Sequence, residues 1–323
     1  MPAHVHWVVR DDGSIVRWEE GKHPRASNGQ FGEGGGSSPA PKAASAEASD
    51  VTEKGQKRTL ANGDPLPAHI QKMGIPPAWT SVKVSHDPTA ALQVQGKDSK
   101  GRLQSVYSAA HAEKQAAAKF SRVKALHEQF QDISKQNAAA QSSNNPKVKD
   151  AADCADLIMK MGVRPGSDDD TGADKKAYGA TTLKGEHVVV DGDDVRLKFT
   201  GKKGVALDLV VPDAALAANL VSRAKQVGPE GKIFPNVTDK SLLDHVHTLG
   251  DGGFKTKDFR THLGTATAAN LVAKSPLPVG EKAYKKAVAE VAAAVAAKLG
   301  NTPAIALQSY INPSVFAQWR TPS

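Results

Sequence analysis

Apolar positions recur with a period of two in some parts of the chain and of three to four in others, and the changes of period divide it. Val5, Trp7 and Val9 alternate with polar residues, Asp11-Asp12-Gly13-Ser14 supplies a turn, and Ile15-Val16-Arg17-Trp18 returns. That pattern predicts a short hairpin extension over residues 1–22. Residues 23–58 are mostly Gly, Ser, Ala, Pro and charge, and predict a disordered linker. Periodicity resumes near Leu60. The paired prolines of Ile75-Pro76-Pro77-Ala78-Trp79 exclude helix there. Val82 and Val84, then Leu92 to Gln95, then Leu103 to Tyr107 read as strands around the basic turn Gly96–Arg102. Residues 59–108 are therefore expected to form a small β-rich domain.

From Ala109 the period becomes helical. Helix is predicted over 109–137, an exposed loop over 139–146, and helix again from Val148 to Met161, stopped by Gly162 with Arg164 close behind. A Gly- and Asp-rich loop follows over 165–179. Residues 186–211 read as a three-stranded β-meander with turns at Asp191–Asp194 and Gly201–Gly204. Helical segments then begin at the capping residues Asp213 and Thr238, and a third spans about 265–274. The strongest helix covers 281–299 and ends at Gly300 and Pro303. The expected fold class is α+β: the β-rich N-terminal domain plus a mainly α-helical domain over 109–323 that carries the meander.

Charge narrows the partners. The 323 residues carry a formal net charge of +8 and a pI near 9.3, which suits a polyanion such as nucleic acid. One cysteine, Cys154, excludes a disulfide framework and points to a reducing compartment. Cys and His spacing matches no zinc site, and the run Gly34–Gly36 leads into Ser-Ser-Pro rather than a phosphate loop. No apolar run approaches a membrane span and no signal peptide is evident, so no metal, small-molecule cofactor or membrane is expected.

Tyr310 is one of four tyrosines and follows the last long helix. A phenol titrates near pH 10, so as a nucleophile it needs cations around it. The chain offers Arg164 after a helix, Lys202 at a hairpin tip, and Lys257 and Arg260 in one short segment.

In this order, and with Ile75-Pro-Pro-Ala-Trp-Thr80, Gly96-Lys-Asp-Ser-Lys-Gly-Arg102, Thr181-Thr-Leu-Lys184, Phe199-Thr-Gly-Lys202, Lys257-Asp-Phe-Arg260-Thr and Gly300-Asn-Thr-Pro303 leading to Ser309-Tyr310, the chain resembles the type IB DNA topoisomerases of the poxvirus-like and bacterial branch over roughly 58–315. The resemblance implies a catalytic fold shared with tyrosine recombinases and an N-terminal domain that clamps double-stranded DNA. It implies that Tyr310 attacks a phosphodiester and forms a 3′-phosphotyrosyl bond. Arg164 and Arg260 would hold the non-bridging oxygens, Lys202 would protonate the 5′-oxygen, and Lys257 would support the site. Asn301, where poxvirus enzymes have His, would donate to the phosphate. Lys97, Lys100, Arg102, Gln104, Tyr107 and Lys184 would face DNA. It further implies a monomer, relaxation of supercoils without ATP or metal, and a cytoplasmic, nucleoid-associated location. Alternatives are a catalytically impaired DNA-binding relative and a tyrosine recombinase-like strand transferase. Asp168–Asp170, shortly after Arg164, depart from the pattern and are expected to repel DNA.

Overall fold

The structure is a computed structural model, and it describes residues 7–9, 15–17, 48–54, 57–168 and 176–320. Strands β1 (Trp7–Val9) and β2 (Ile15–Arg17) pair as a two-stranded sheet. The rest divides into two compact units, with the break inside a long helix between Lys119 and Phe120.

The first unit is a five-stranded antiparallel sheet. Its strands are β3 (Ala48–Lys54), β4 (Lys57–Leu60), β5 (Thr80–Ser85), β6 (Leu92–Lys97) and β7 (Leu103–Tyr107), in the order β4-β3-β5-β6-β7. One short helix, α1 (Ala68–Gln71), sits between β4 and β5. Here the expectation of a linker reaching residue 58 is corrected, because β3 and β4 lie inside that range. Their sequences are almost wholly polar, so no alternation marks them; they form by pairing with each other and with β5. The part of the expected linker over 23–47 lies outside the described residues. Leu60, Ile70, Trp79, Val82, Val84, Val94 and Val106 make the core. The Pro76–Trp79 segment makes one turn bond of its own, Trp79 N to the Pro76 carbonyl at 3.1 Å, and the Arg58 guanidinium donates to the carbonyls of Pro76 (2.9 Å), Pro77 (2.9 Å) and Trp79 (3.0 Å).

The second unit is mainly helical. Helix α2 (Ala109–Gln141) runs four residues past the expected end at 137, since Ala138 to Ala140 favour helix. The loop is correspondingly short, and α3 (Pro146–Met161) starts where the Asn145 side chain accepts from Lys147 N and proline occupies the first turn. Helix α3 is buried along most of its length and ends at Gly162, whose φ of 64° is left-handed. The meander consists of β8 (Val188–Asp191), β9 (Asp194–Thr200) and β10 (Ala206–Val210), in the order β10-β9-β8. Then come α4 (Ala214–Val227), capped by Asp213, and α5 (Asp239–Val246), capped by Thr238.

Helix α6 (Thr256–Lys274) begins about nine residues earlier than its periodicity indicates. Asp258 accepts from the Lys255 amide at 3.0 Å and closes the first turn, while Gly264 in mid-helix weakens the pattern. Lys257 and Arg260 are therefore helical rather than in a preceding loop. Helices α7 (Gly280–Leu299) and α8 (Pro303–Ser309) complete the unit around a second core of Val288, Val291, Val295, Leu299, Ile311 and Phe316.

Candidate functional site

Tyr310 stands at the C-terminal end of α8 and is half-buried. Pro303 and the Thr302 cap start that helix, and Gly300 (φ 60°) ends α7 two residues earlier. The tight α7–α8 connection thus holds Asn301 close to Tyr310 in space as well as in sequence. Arg164 reaches both: its Nη1 donates to the Tyr310 hydroxyl at 3.2 Å and its Nη2 to Asn301 Oδ1 at 3.1 Å. Because arginine only donates, the Asn301 oxygen must face it and the amide nitrogen must face away. That nitrogen, Nδ2, is buried and unpaired.

Arg260 comes from α6. Its guanidinium carbon lies 4.7 Å from the Tyr310 ring centroid, within cation–π range. Its two terminal nitrogens donate to the carbonyls of Gly162 and, at 2.6 Å, Leu299. Those carbonyls belong to the C-terminal ends of α3 and α7, where unpaired oxygens and the helix dipoles favour a cation. The side chain is almost wholly buried. Burial, aggravated by the nearby charge of Arg164, lowers its pKa to about 10, which still leaves it charged at neutral pH. Its Nε is buried and unpaired.

The Tyr310 hydroxyl feels opposing influences. Burial alone would raise its pKa, but Arg260, Arg164 and Lys202 together outweigh burial and hold it below the ordinary phenol value. Lys202 follows Gly201 at the β9–β10 connection, and its charge acts on Tyr310 from the meander side. One leucine packs behind both loops. A Cβ on Gly201 would come within 2.8 Å of Leu207, and a Cβ on Gly300 would also collide with Leu207. Only glycine lets the two backbones approach that side chain.

The structure thus gathers Arg164 and Arg260 on Tyr310 and Asn301 on Arg164, with Lys202 in electrostatic reach. Lys257 lies one turn before Arg260 on α6 and is half-buried. Lys184 is ion-paired with Glu230, with Glu186 at 3.8 Å, and so belongs to a separate charge cluster. Lys97, Lys100, Arg102, Gln104 and Tyr107 belong to the first unit. Lys97 and Lys100 are exposed there, whereas Asp98 ties down Arg102 (2.8 Å) and Gln104 (3.0 Å). Tyr107 stacks on His111 at 5.0 Å. In the acidic loop, Asp168 is held by Lys232 through both oxygens at 2.8 and 2.7 Å, which offsets its charge; Asp169 and Asp170 lie outside the described residues. The carbonyls that seat Arg260 carry no sequence signal, since any residue type offers one.

A phenol with lowered pKa, two guanidiniums and a free amide donor form a site suited to transferring a phosphoryl group. A family model described as eukaryotic DNA topoisomerase I, catalytic core, matches residues 107–315, and one described as bacterial DNA topoisomerase IB, N-terminal domain, matches 58–98. The chain belongs to the DNA topoisomerase I family, on its type IB branch. Among its relatives, DNA topoisomerase 1B of Acanthamoeba polyphaga mimivirus is 27% identical over 260 residues, covering 75% of this chain and 76% of the viral one. DNA topoisomerase I of Monkeypox virus and DNA topoisomerase 1B of Vaccinia virus (strain Copenhagen) are each 25% identical over 148 residues, covering 44% of this chain and 45% of theirs.

Proposed function

We propose that this topoisomerase nicks one strand of duplex DNA through Tyr310, lets the strands rotate and reseals the nick, so relaxing supercoils. The observation that carries the reading is the convergence of Arg164 and Arg260 on one phenol whose pKa is held down, with Asn301 on Arg164 beside it. In the forward step Tyr310, its phenolic proton given up to solvent, bonds through its oxygen to the scissile phosphorus and the bond to the 5′-oxygen breaks. The products are a 3′-phosphotyrosyl ester and a 5′-hydroxyl. Negative charge grows on the non-bridging oxygens, and Arg164, Arg260 Nε and Asn301 Nδ2 are donors available to oppose it. Two buried donors left unpaired in the free protein support that assignment, since such groups ordinarily have partners.

Lys202 gives its proton to the departing 5′-oxygen. Its electrostatic influence on Tyr310 supports that role. Resealing is the reverse: the 5′-hydroxyl attacks, Lys202 takes the proton back, and Tyr310 leaves. The ester energy is kept throughout, so the cycle needs no nucleotide. Lys257 supports the phosphate from the same face of α6 as Arg260. The β-rich unit supplies further duplex contacts through Lys97 and Lys100, and the protein works as a monomer in the cytoplasm.

The test is relaxation of negatively supercoiled plasmid in EDTA without ATP, with Tyr310→Phe alongside. Relaxation by the wild type and none by the variant is expected. Relaxation that survives Tyr310→Phe would remove the nucleophile from this account, and binding without relaxation by either would identify a silent DNA-binding relative.

A further inference from the structure

Helix α6 carries Arg260, and five residues further on it also touches the main chain of Tyr310. The Thr265 hydroxyl donates to the Tyr310 carbonyl at 3.0 Å and accepts from the Asn312 amide at 3.2 Å. The Tyr310 carbonyl lies past the last turn of α8, where no helical donor remains for it. With one hydrogen donated and one lone pair occupied, the hydroxyl is fixed at both ends. Next to it, Gly264 leaves room for the same carbonyl: a Cβ there would stand 2.8 Å from the Tyr310 oxygen and 3.0 Å from its Cβ.

We propose that Thr265 is a positioning residue that fixes the Tyr310 main chain on α6, so that a single helix sets the nucleophile's place relative to Arg260. The inference rests on Tyr310 being the nucleophile. The phenolic oxygen lies at the far end of its side chain, so a small main-chain rotation is magnified there. The 3.2 Å contact to Arg164 and the stacking on Arg260 depend on that placement. The charges facing the hydroxyl are Arg260 from α6, Arg164 beyond α3 and Lys202 from the meander. A Tyr310 released from its seat loses their support and reverts toward an ordinary phenol.

The experiment compares single-turnover cleavage of a duplex that traps the covalent complex, at pH 7 and at pH 9.5, with DNA affinity measured alongside. Thr265→Val keeps the shape and removes both hydrogen bonds; Thr265→Ser keeps the hydroxyl. Losing one such hydrogen bond corresponds to about a tenfold change. Thr265→Val is therefore expected to cleave roughly tenfold more slowly at pH 7 with unchanged DNA affinity, and the deficit should shrink at pH 9.5. Thr265→Ser should restore most of the rate. If Thr265→Val does not fold, Gly264→Ala is the second variant: it keeps the hydroxyl, displaces the carbonyl and is expected to show the same pH-dependent deficit. An unimpaired Thr265→Val or Gly264→Ala, a deficit equal at both pH values, or one that serine does not repair would overturn the inference. A wild type that fails to cleave would overturn the underlying reading instead.

Discussion

Arg260 serves the architecture and, in the proposed reaction, the chemistry as well. Its terminal nitrogens close the C-terminal ends of α3 and α7, its guanidinium lies over the Tyr310 ring, and its Nε is buried without a partner. Replacing it with alanine leaves two buried carbonyls without donors and removes one fixed charge from the transition state. Cleavage by Arg260→Ala is expected to fall by about 10²–10³, with a loss of a few kcal/mol of stability on top. Arg260→Lys should recover little, because an ammonium cannot span both carbonyls and still face the ring. Single-turnover cleavage with unfolding midpoints separates the two effects, and a near-normal rate in Arg260→Ala would take it out of the site. At this scale the sequence was informative about residue types and poor about partners. Tyr310 and the cations around it stand out as types. That Arg164 reaches Tyr310 across 146 positions, or that Thr265 holds its carbonyl, depends on non-local packing that no local pattern encodes.

Among the elements, caps and stops were the legible features. Asp213, Thr238, Gly162 and Gly300 each end or begin a helix where local chemistry says they should, whereas the Asn145 cap went unread inside the expected loop. What failed was the start of α6, where Asp258 closes the turn on Lys255 without apolar spacing, and the polar strands β3 and β4, which exist by pairing. Helix α6 is also pinned to α2. His127 Nδ1 lies 3.0 Å from His262 Nε2, and Phe130 stacks on His262 at 4.3 Å. Burial, with the neighbouring His127, lowers the His262 pKa to about 4. The folded state therefore prefers neutral His262, while the unfolded chain takes up a proton near pH 6.5. Below that point the unfolded state binds more protons. The contribution, up to about 3 kcal/mol, is complete above pH 6.5 and is lost as pH falls toward 4. Denaturant unfolding at pH 7 and pH 4.5 should show this loss in the wild type and a smaller one in His262→Gln; identical losses would exclude His262 as the cause.

Across the whole molecule, the positive charge noted from composition governs encounter with DNA rather than chemistry. Each phosphate neutralised contributes a slope of about −0.9 in log affinity against log salt. Substituting the exposed Lys97 and Lys100 together with alanine is expected to flatten that slope by up to about 2 while leaving the cleavage rate of the bound complex unchanged. Affinity measured from 50 to 300 mM salt would show it, and an unaltered slope would remove the Gly96–Arg102 turn from the DNA contacts. The site itself is assembled from five places: Arg164 beyond α3, Lys202 in the meander, Arg260 on α6, Asn301 between helices and Tyr310 after α8. Tyr310 comes last of these in the chain. On the proposed reading the groups assigned to the phosphate emerge first during synthesis and the assigned cutting group follows, so a nascent chain has nothing with which to break DNA until α8 has been made.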